Sequence, residues 1–365
     1  MKQSPEDRWS VQDSVSEYGI DRWGDGYFSI SEDGTVVVTP NRKMESSIDL
    51  KSLVDRLCDR GLELPILIRF NGILRDRLHH LDACFARAIT EQGYKNRYRC
   101  VFPIKVNQQR EVVQQIVAEG AKLGFGVEAG SKPELLAAIA MGDPAVPIVC
   151  NGFKDEEYIR LALMAQRLGR TVFPVIEKAS ELELVFRIAA EIGVRPRLGM
   201  RVKLATRGSG RWQASGGYRS KFGLTVAELL AALDQMIESD LADCFQLLHF
   251  HVGSQIGNIR HLKSAILEAA RIYVDLQRRG AAMGYLDVGG GFPTSRALRT
   301  WLHEGRAEAG SSEDALREDI ELKTQLRLLI GLPGSTELLA AVLRPSSGRG
   351  DRQFPFAVFT HLPRR

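Results

Sequence analysis

The chain is poor in everything that would tie it to a membrane, to nucleic acid or to an oxidising compartment. No apolar run reaches the ~18 residues that a membrane helix needs. The opening Met1-Lys2-Gln3-Ser4-Pro5-Glu6-Asp7-Arg8 lacks the apolar core of a secretory leader. The five cysteines, Cys58, Cys84, Cys100, Cys150 and Cys244, are scattered, odd in number and free of any Cys-x-x-Cys spacing. They read as reduced thiols of a cytoplasmic protein. The 49 lysines and arginines are nearly balanced by 45 acidic residues, and no basic block carries interleaved aromatics. Nucleic acid and membrane are therefore not expected as partners. Neither a Gly-x-Gly-x-x-Gly nor a Walker sequence is present, which removes the usual cradles for dinucleotides and nucleoside triphosphates.

What is present suits one large α/β domain or two: 365 residues, 44% apolar and 26% charged. Gly26-Tyr27-Phe28-Ser29-Ile30 and Thr35-Val36-Val37-Val38-Thr39 flank Glu32-Asp33-Gly34, a hairpin signal. Residues 48–61 have helical spacing. Short apolar strands then alternate with amphipathic helices. We expect strands at 65–70, 100–106, 124–128, 148–151, 171–176, 197–202, 246–252 and 285–288. The helices expected between them include 110–119, 132–141, 155–168, 180–192, 227–238 and 261–279. Ser131 with Glu134 resembles a capping box. Repeated βα units imply a parallel sheet, open or closed into a (β/α)8 TIM barrel. The barrel is preferred because the chemically interesting residues fall at the C-terminal ends of several different strands. The expected domains are residues 1–64 with the hairpin, contributing to a β-domain, a barrel over 65–291, and a tail over 292–365. In the tail, 308–329 is helix-like, 344–352 is biased in composition, and Val342 and 354–359 are weak strand candidates. Counted from the strand at 100–106, the barrel strands number seven; nothing in the tail has the form of another βα unit, so the barrel is expected to lack its eighth strand.

Lys105 ends an apolar strand in Cys100-Val101-Phe102-Pro103-Ile104-Lys105-Val106-Asn107. Taken alone, such a lysine simply reaches into water. At a barrel mouth and partly desolvated, it is a nucleophile for an aldehyde. His249 and His251 lie two apart and so face one side of their strand. They suit a core-and-surface pair, a zinc pair, or a ring that stacks on a flat cofactor. The following Gly253-Ser254 favours the third, with His251 as the stacking residue. Gly289-Gly290-Gly291 follows an apolar strand and leaves backbone N–H groups open to an anion. An amine, a ring and a phosphate cradle are the needs of pyridoxal 5'-phosphate. Glu128 and Arg201 end two further strands, and Lys221 sits in Ser220-Lys221-Phe222-Gly223.

Several runs carry a resemblance. They are Phe102-Pro103-Ile104-Lys105-Val106-Asn107-Gln108, Val127-Glu128-Ala129-Gly130-Ser131-Lys132-Pro133-Glu134-Leu135, Cys150-Asn151-Gly152-Phe153-Lys154-Asp155, Ser220-Lys221-Phe222-Gly223-Leu224 and Leu248-His249-Phe250-His251-Val252-Gly253-Ser254-Gln255, together with the opening 18–28. Over about Val15 to Gly291 the sequence resembles the biosynthetic arginine decarboxylases, within the alanine-racemase-like, fold-type III pyridoxal phosphate enzymes. The resemblance implies Lys105 as the Schiff-base lysine and His251 stacked on the pyridine ring. It implies phosphate contacts from Ser254, Gly289, Gly290 and Gly291, and a pocket lined by Glu128 and Arg201. It also implies a homo-oligomer and Mg2+ as a second cofactor with no identifiable site. The family's eighth strand carries an acidic partner for the pyridine nitrogen and a Gly-Arg step, and its C-terminal β-domain supplies a Cys and a Tyr to the partner subunit. None of these is found after Phe292.

The expected activity is decarboxylation of L-arginine to agmatine and carbon dioxide, feeding putrescine and spermidine. The alternative is a catalytically incomplete pyridoxal phosphate-binding fragment, with the chain shifted in frame or truncated after Gly291. The nucleotide sequence around that codon tests the latter: a second frame should resume the family's pattern downstream. A metal-dependent hydrolase built on His249 and His251 is the third reading, and it needs further ligands at strand ends.

Overall fold

The computed structural model describes residues 9–91, 93–206, 220–253, 259–290 and 357–361. The backbone divides into two compact units, Met1–Leu78 and His79–Arg365.

The first unit opens with α1 (Val11–Glu17), which begins at Ser10. The Ser10 hydroxyl accepts from the Asp13 N–H while Asp13 reaches back to the Ser10 N–H, a closed capping box. A short α2 (Ile20–Trp23) leads to β1 (Phe28–Ile30), β2 (Val36–Val38) and β3 (Ile48–Asp49). The three strands form one antiparallel sheet in the order β1-β2-β3, with Phe28 opposite Val38 and Val38 opposite Ile48. Gly34 turns the hairpin with φ +80°, where a side chain would be strained. The Asp-Gly signal therefore reports its turn correctly. α3 (Leu50–Asp59) starts at Asp49, whose side chain accepts from the Ser52 N–H. Tyr27, Val38 and Ile73 form a small buried core here, backed by Phe28, Leu50 and Phe70. Residues 65–70, expected as a strand, have no regular structure and lead into the 21-residue α4 (Asn71–Glu91). A continuous apolar run does not distinguish a strand from a connection that packs against a core.

The second unit is a parallel barrel. Its strands are β4 (Tyr98–Pro103), β5 (Gly126–Ala129), β6 (Ile148–Cys150), β7 (Val172–Ile176), β8 (Leu198–Arg201), β9 (Phe245–His251), β10 (Tyr285–Gly289) and β11 (Ala357–His361). The intervening helices are α5 (Arg110–Leu123), α6 (Lys132–Met141), α7 (Glu156–Arg167), α8 (Ala179–Ile192), α9 (Val226–Glu238) and α10 (Ile259–Arg278). Most of these strands are buried on both faces, as a parallel sheet under helices requires. One interior layer is apolar: Val101, Val149, Phe173, Val175 and Leu247, with Tyr285 against them and its ring edge-on to Phe173 at 4.9 Å.

The expected (β/α)8-type architecture is thus found, with one correction. The sequence predicts seven barrel strands, counted from β4, and no eighth. The backbone of β11 takes that place, parallel to β10 on one side (Tyr285 opposite Ala357) and to β4 on the other (Val358 opposite Tyr98). The ring of strands is closed. Closure pairs the ladder groups that seven strands would leave open on β10 and β4. The signal at 354–359 was weak because it stands alone, without a recognisable helix before it. The expected helix at 308–329 and the candidate at Val342 lie outside the described residues.

Candidate active site

The site stands on the C-terminal ends of the barrel strands. Lys105 is not on the strand itself, as expected, but on a one-turn 3-10 helix, Ile104–Val106, that follows β4. The strand ends at Pro103, and the turn lifts the lysine above the ring of strands. Its ammonium, half exposed, lies 2.9 Å from Oε1 of Glu128 on β5. Glu128 is fully buried, and its Oε2 has no hydrogen-bond partner. A buried carboxylate with a spare oxygen beside an accessible amine is an arrangement a ligand can complete.

Next around the ring, Arg201 at the end of β8 places Nη1 3.4 Å from Glu177 Oε2. Glu177 follows β7, and its other oxygen accepts from the Gly152 N–H at 2.9 Å. Burial alone would raise the Glu177 carboxyl, but the charges of Arg201 and Lys154 and the Gly152 N–H outweigh it and hold it below the usual carboxylate range. The Arg201 guanidinium also lies 5.8 Å from the Phe222 ring centre, and Lys221 beside it is exposed.

On β9 and β10, His249 and Asp287 are opposite each other in register, and both are buried. Nδ1 of His249 lies 2.8 Å from Oδ2 of Asp287. His251 is half-buried one layer higher, opposite Gly289. A Cβ placed on Gly289 would lie 2.6 Å from His249 Cε1 and 3.1 Å from His251 Nδ1. Both rings therefore lie on the Gly289 side, as their spacing of two requires. Gly253 and Gly290 have φ of +106° and +139°. A Cβ at Gly253 would meet nothing within 4 Å, so the chain there borders open space. Ser254 and Gly291 lie outside the described residues.

Among the described residues, no group of three or more His, Cys, Asp or Glu is placed to hold a metal ion. His249 spends its Nδ1 side on Asp287, and the zinc-hydrolase reading finds no ligand set among the described residues. The residues do fit pyridoxal phosphate: an accessible lysine amine, a buried carboxylate with an open oxygen, a half-buried imidazole, and a glycine, Gly253, that borders open space just past β9.

Three groups escaped the sequence reading: Asp287, Glu177 and the pair Lys154–Glu181. Asp287, within an apolar strand, and Glu177 and Lys154, shortly after the ends of two others, had a signal: a charge there is costly unless paired, so it marks a polar cluster. Glu181, in the first turn of α8, had none. The expected capping box at Ser131 is also different. Ser131 makes no side-chain cap, and Glu134 accepts from the Gly130 N–H at 2.6 Å and from Gln108 at 2.9 Å, tying the β5 turn to the turn that bears Lys105.

Residues 79–330 match the family model described as pyridoxal-dependent decarboxylase, pyridoxal binding domain. The chain is 75% identical over 284 residues to the biosynthetic arginine decarboxylase of Rhodopirellula baltica, covering 78% of this chain and 42% of that protein. It is 50% identical over 284 residues to the corresponding protein of Prochlorococcus marinus, covering 78% and 44%. The chain therefore spans less than half the length of these curated relatives. Among solved structures it resembles the biosynthetic arginine decarboxylase SpeA from Campylobacter jejuni, with a TM-score of 0.72 at 30% identity, covering 95% of this chain and 53% of that one. The diaminopimelate decarboxylase of M. jannaschii shares the fold, with a TM-score of 0.62 at 17% identity over 92% of this chain and 67% of that one. With the match spanning most of its length and the lysine–carboxylate pair at the barrel mouth, the chain belongs to the pyridoxal-dependent decarboxylase family, through that family's pyridoxal-binding domain.

Proposed function

We propose that this chain carries the cofactor-binding barrel of an arginine decarboxylase, which converts L-arginine to agmatine and carbon dioxide at the head of putrescine and spermidine biosynthesis. The observation that carries the reading is the Lys105–Glu128 pair, in a chain whose relatives at 75% and 50% identity are named for that activity. When bound, pyridoxal phosphate supplies an aldehyde that condenses with amines and a conjugated ring that accepts the electron pair released as a carboxylate departs.

The chain's own residues do the rest. Lys105 offers the amine from a turn that leaves it half exposed. Glu128 accepts from that amine at 2.9 Å and so fixes its position, where it would meet a bound aldehyde. His251 presents an imidazole beside Gly289, where it would stack on the cofactor's flat ring. Gly253, Gly290 and, by the same sequence context, Ser254, Gly289 and Gly291 provide close approach for a phosphate. Arg201 lines the pocket on the β8 side. Below this layer, Leu247 and its apolar neighbours close the barrel floor, so proton traffic is confined to the mouth. We also infer a homo-oligomer in the cytoplasm; all five cysteines are free. Magnesium, expected from the resemblance, is assigned to no residue.

The test is to supply the chain with pyridoxal phosphate and carboxyl-labelled arginine, and to follow both the cofactor's absorbance and the release of agmatine and carbon dioxide. Release of both products supports the decarboxylase. Cofactor absorbance without turnover supports the alternative, a binding chain that is catalytically incomplete. Lys105→Ala should lose the pyridoxyl label that borohydride otherwise traps, and a label persisting on another lysine would overturn the assignment of Lys105.

A further inference from the structure

One buried charge takes no part in this reading. Lys154 follows β6 with its side chain almost fully sealed, 1% exposed, behind the barrel mouth. Its ammonium donates to the carbonyl of Gly152 at 2.7 Å and to that of Val175, and lies 3.7 Å from Glu181 Oε2. Every one of these neighbours is an acceptor, which suits a group with three donors and no acceptor. Glu181, in the first turn of α8, is equally buried. One of its oxygens accepts from the Lys154 N–H at 3.1 Å and the other from the Glu177 N–H at 2.7 Å. Glu177 in turn faces Arg201. Two carboxylates and two cations are thus linked from β6 through β7 to β8. The other titratable groups facing them are Cys150, whose thiol burial pushes up to about 12, and His249 beside Glu177. Glu128 and Tyr158 lie beyond Cys150.

We propose that Lys154 is a positioning residue for Arg201: its ammonium offsets Glu181 and Glu177, so that the β7–β8 wall of the site is neutral rather than negative toward an anionic cofactor. The inference rests on the pyridoxal phosphate reading above. Without Lys154, two buried carboxylates share one cation. Either Arg201 is fully engaged by them, or one carboxyl holds a proton. Burial moves the Lys154 amine below the usual lysine range, against the pull of Glu181 and Glu177, so its charge depends on their presence.

The experiment compares the full chain with Lys154→Met, Glu181→Gln and the double variant. Pyridoxal phosphate dissociation constants are read from absorbance between about pH 6 and about pH 9, where a shared carboxyl proton would be lost. Taking the ratio of variant to unsubstituted chain at each pH cancels the cofactor's own ionisation. For Lys154→Met the ratio should rise with pH, to about tenfold or more at the upper end, and fall toward one at the lower end. Adding Glu181→Gln should return it to near one throughout, because one carboxylate then faces one cation. A ratio independent of pH, or a double variant no better than the single, would overturn the proposal.

Unfolding of the cofactor-free chains separates this claim from the functional one. The carboxyl left with a raised pKa in Lys154→Met stabilises the fold only while protonated, so that variant should lose stability relative to the parent as pH rises. If the parent binds no pyridoxal phosphate, the functional reading fails and this stability comparison alone decides the role of Lys154. If Lys154→Met does not fold, the double variant carries the test: folding with parental affinity supports the charge role, and failure to fold overturns it.

Discussion

Gly289 carries no side chain because His249 fills the space one would need. A Cβ there would also lie 2.9 Å from the Phe250 carbonyl, which belongs to the strand and cannot turn aside. Gly289→Ala should therefore displace the His249 ring from Asp287 and cost about 1–3 kcal/mol, the usual range for overpacking a core. Urea unfolding of the cofactor-free chain measures it, and an unchanged midpoint would show that the ring moves freely. At this scale the chemistry-bearing residue types were legible. Lys105, Glu128, Arg201 and His251 announce themselves as polar groups at the ends of apolar runs. Their pairings were not legible, because Lys105 and Glu128 are 23 residues apart and only the parallel register of β4 and β5 brings Pro103 opposite Glu128.

The elements followed the sequence where a local signal was complete. The expected helix over 132–141 has those bounds in the structure, and the helices expected over 155–168, 227–238 and 261–279 are found within two residues at each end. α9 begins at a closed capping box: the Thr225 hydroxyl accepts from the Glu228 N–H at 3.2 Å while Glu228 accepts from the Thr225 N–H at 2.7 Å. Thr225→Ala should cost about 1 kcal/mol, read as a lower unfolding midpoint, while Thr225→Ser should cost little. The N-terminal sheet has its own pH signature. Tyr27 is buried and donates to Asp76 at 2.5 Å, and burial with that hydrogen bond pushes its phenol from 10.0 to about 12. The unfolded chain loses this proton near 10 and the folded chain keeps it to about 12, so stability is full below 10 and falls as pH rises through that window. Alkaline unfolding should show the fall, and Tyr27→Phe should remove it; an identical profile in the variant would refute the assignment. The strand expected over 65–70 failed for a general reason. Six residues that are apolar but for Arg69 have no period to read, and α4 after them was missed because its apolar positions do not gather on one clean face.

At the scale of the whole molecule, the decisive contact is the one that brings residues 357–361 between β10 and β4. Deleting the chain from residue 357 onward should leave two long parallel edges with unpaired N–H and C=O groups. We expect aggregation in size-exclusion chromatography and loss of a sharp thermal transition. A deleted chain that stays monodisperse with an unchanged transition would mean that β11 adds nothing to the ring. By itself the sequence determined the alternation of strands and helices, the hairpin at Asp33-Gly34, the residue types that suit pyridoxal phosphate, and the family, because each of these is written in local periodicity or in contiguous motifs. Only the tertiary structure decided that the barrel closes, that Lys105 rides on a turn rather than a strand, and that Lys154, Glu181, Glu177 and Arg201 form one charge network. Those facts depend on register between strands dozens of residues apart, and the side-chain period of a strand says which face a residue takes without saying which partner it meets there.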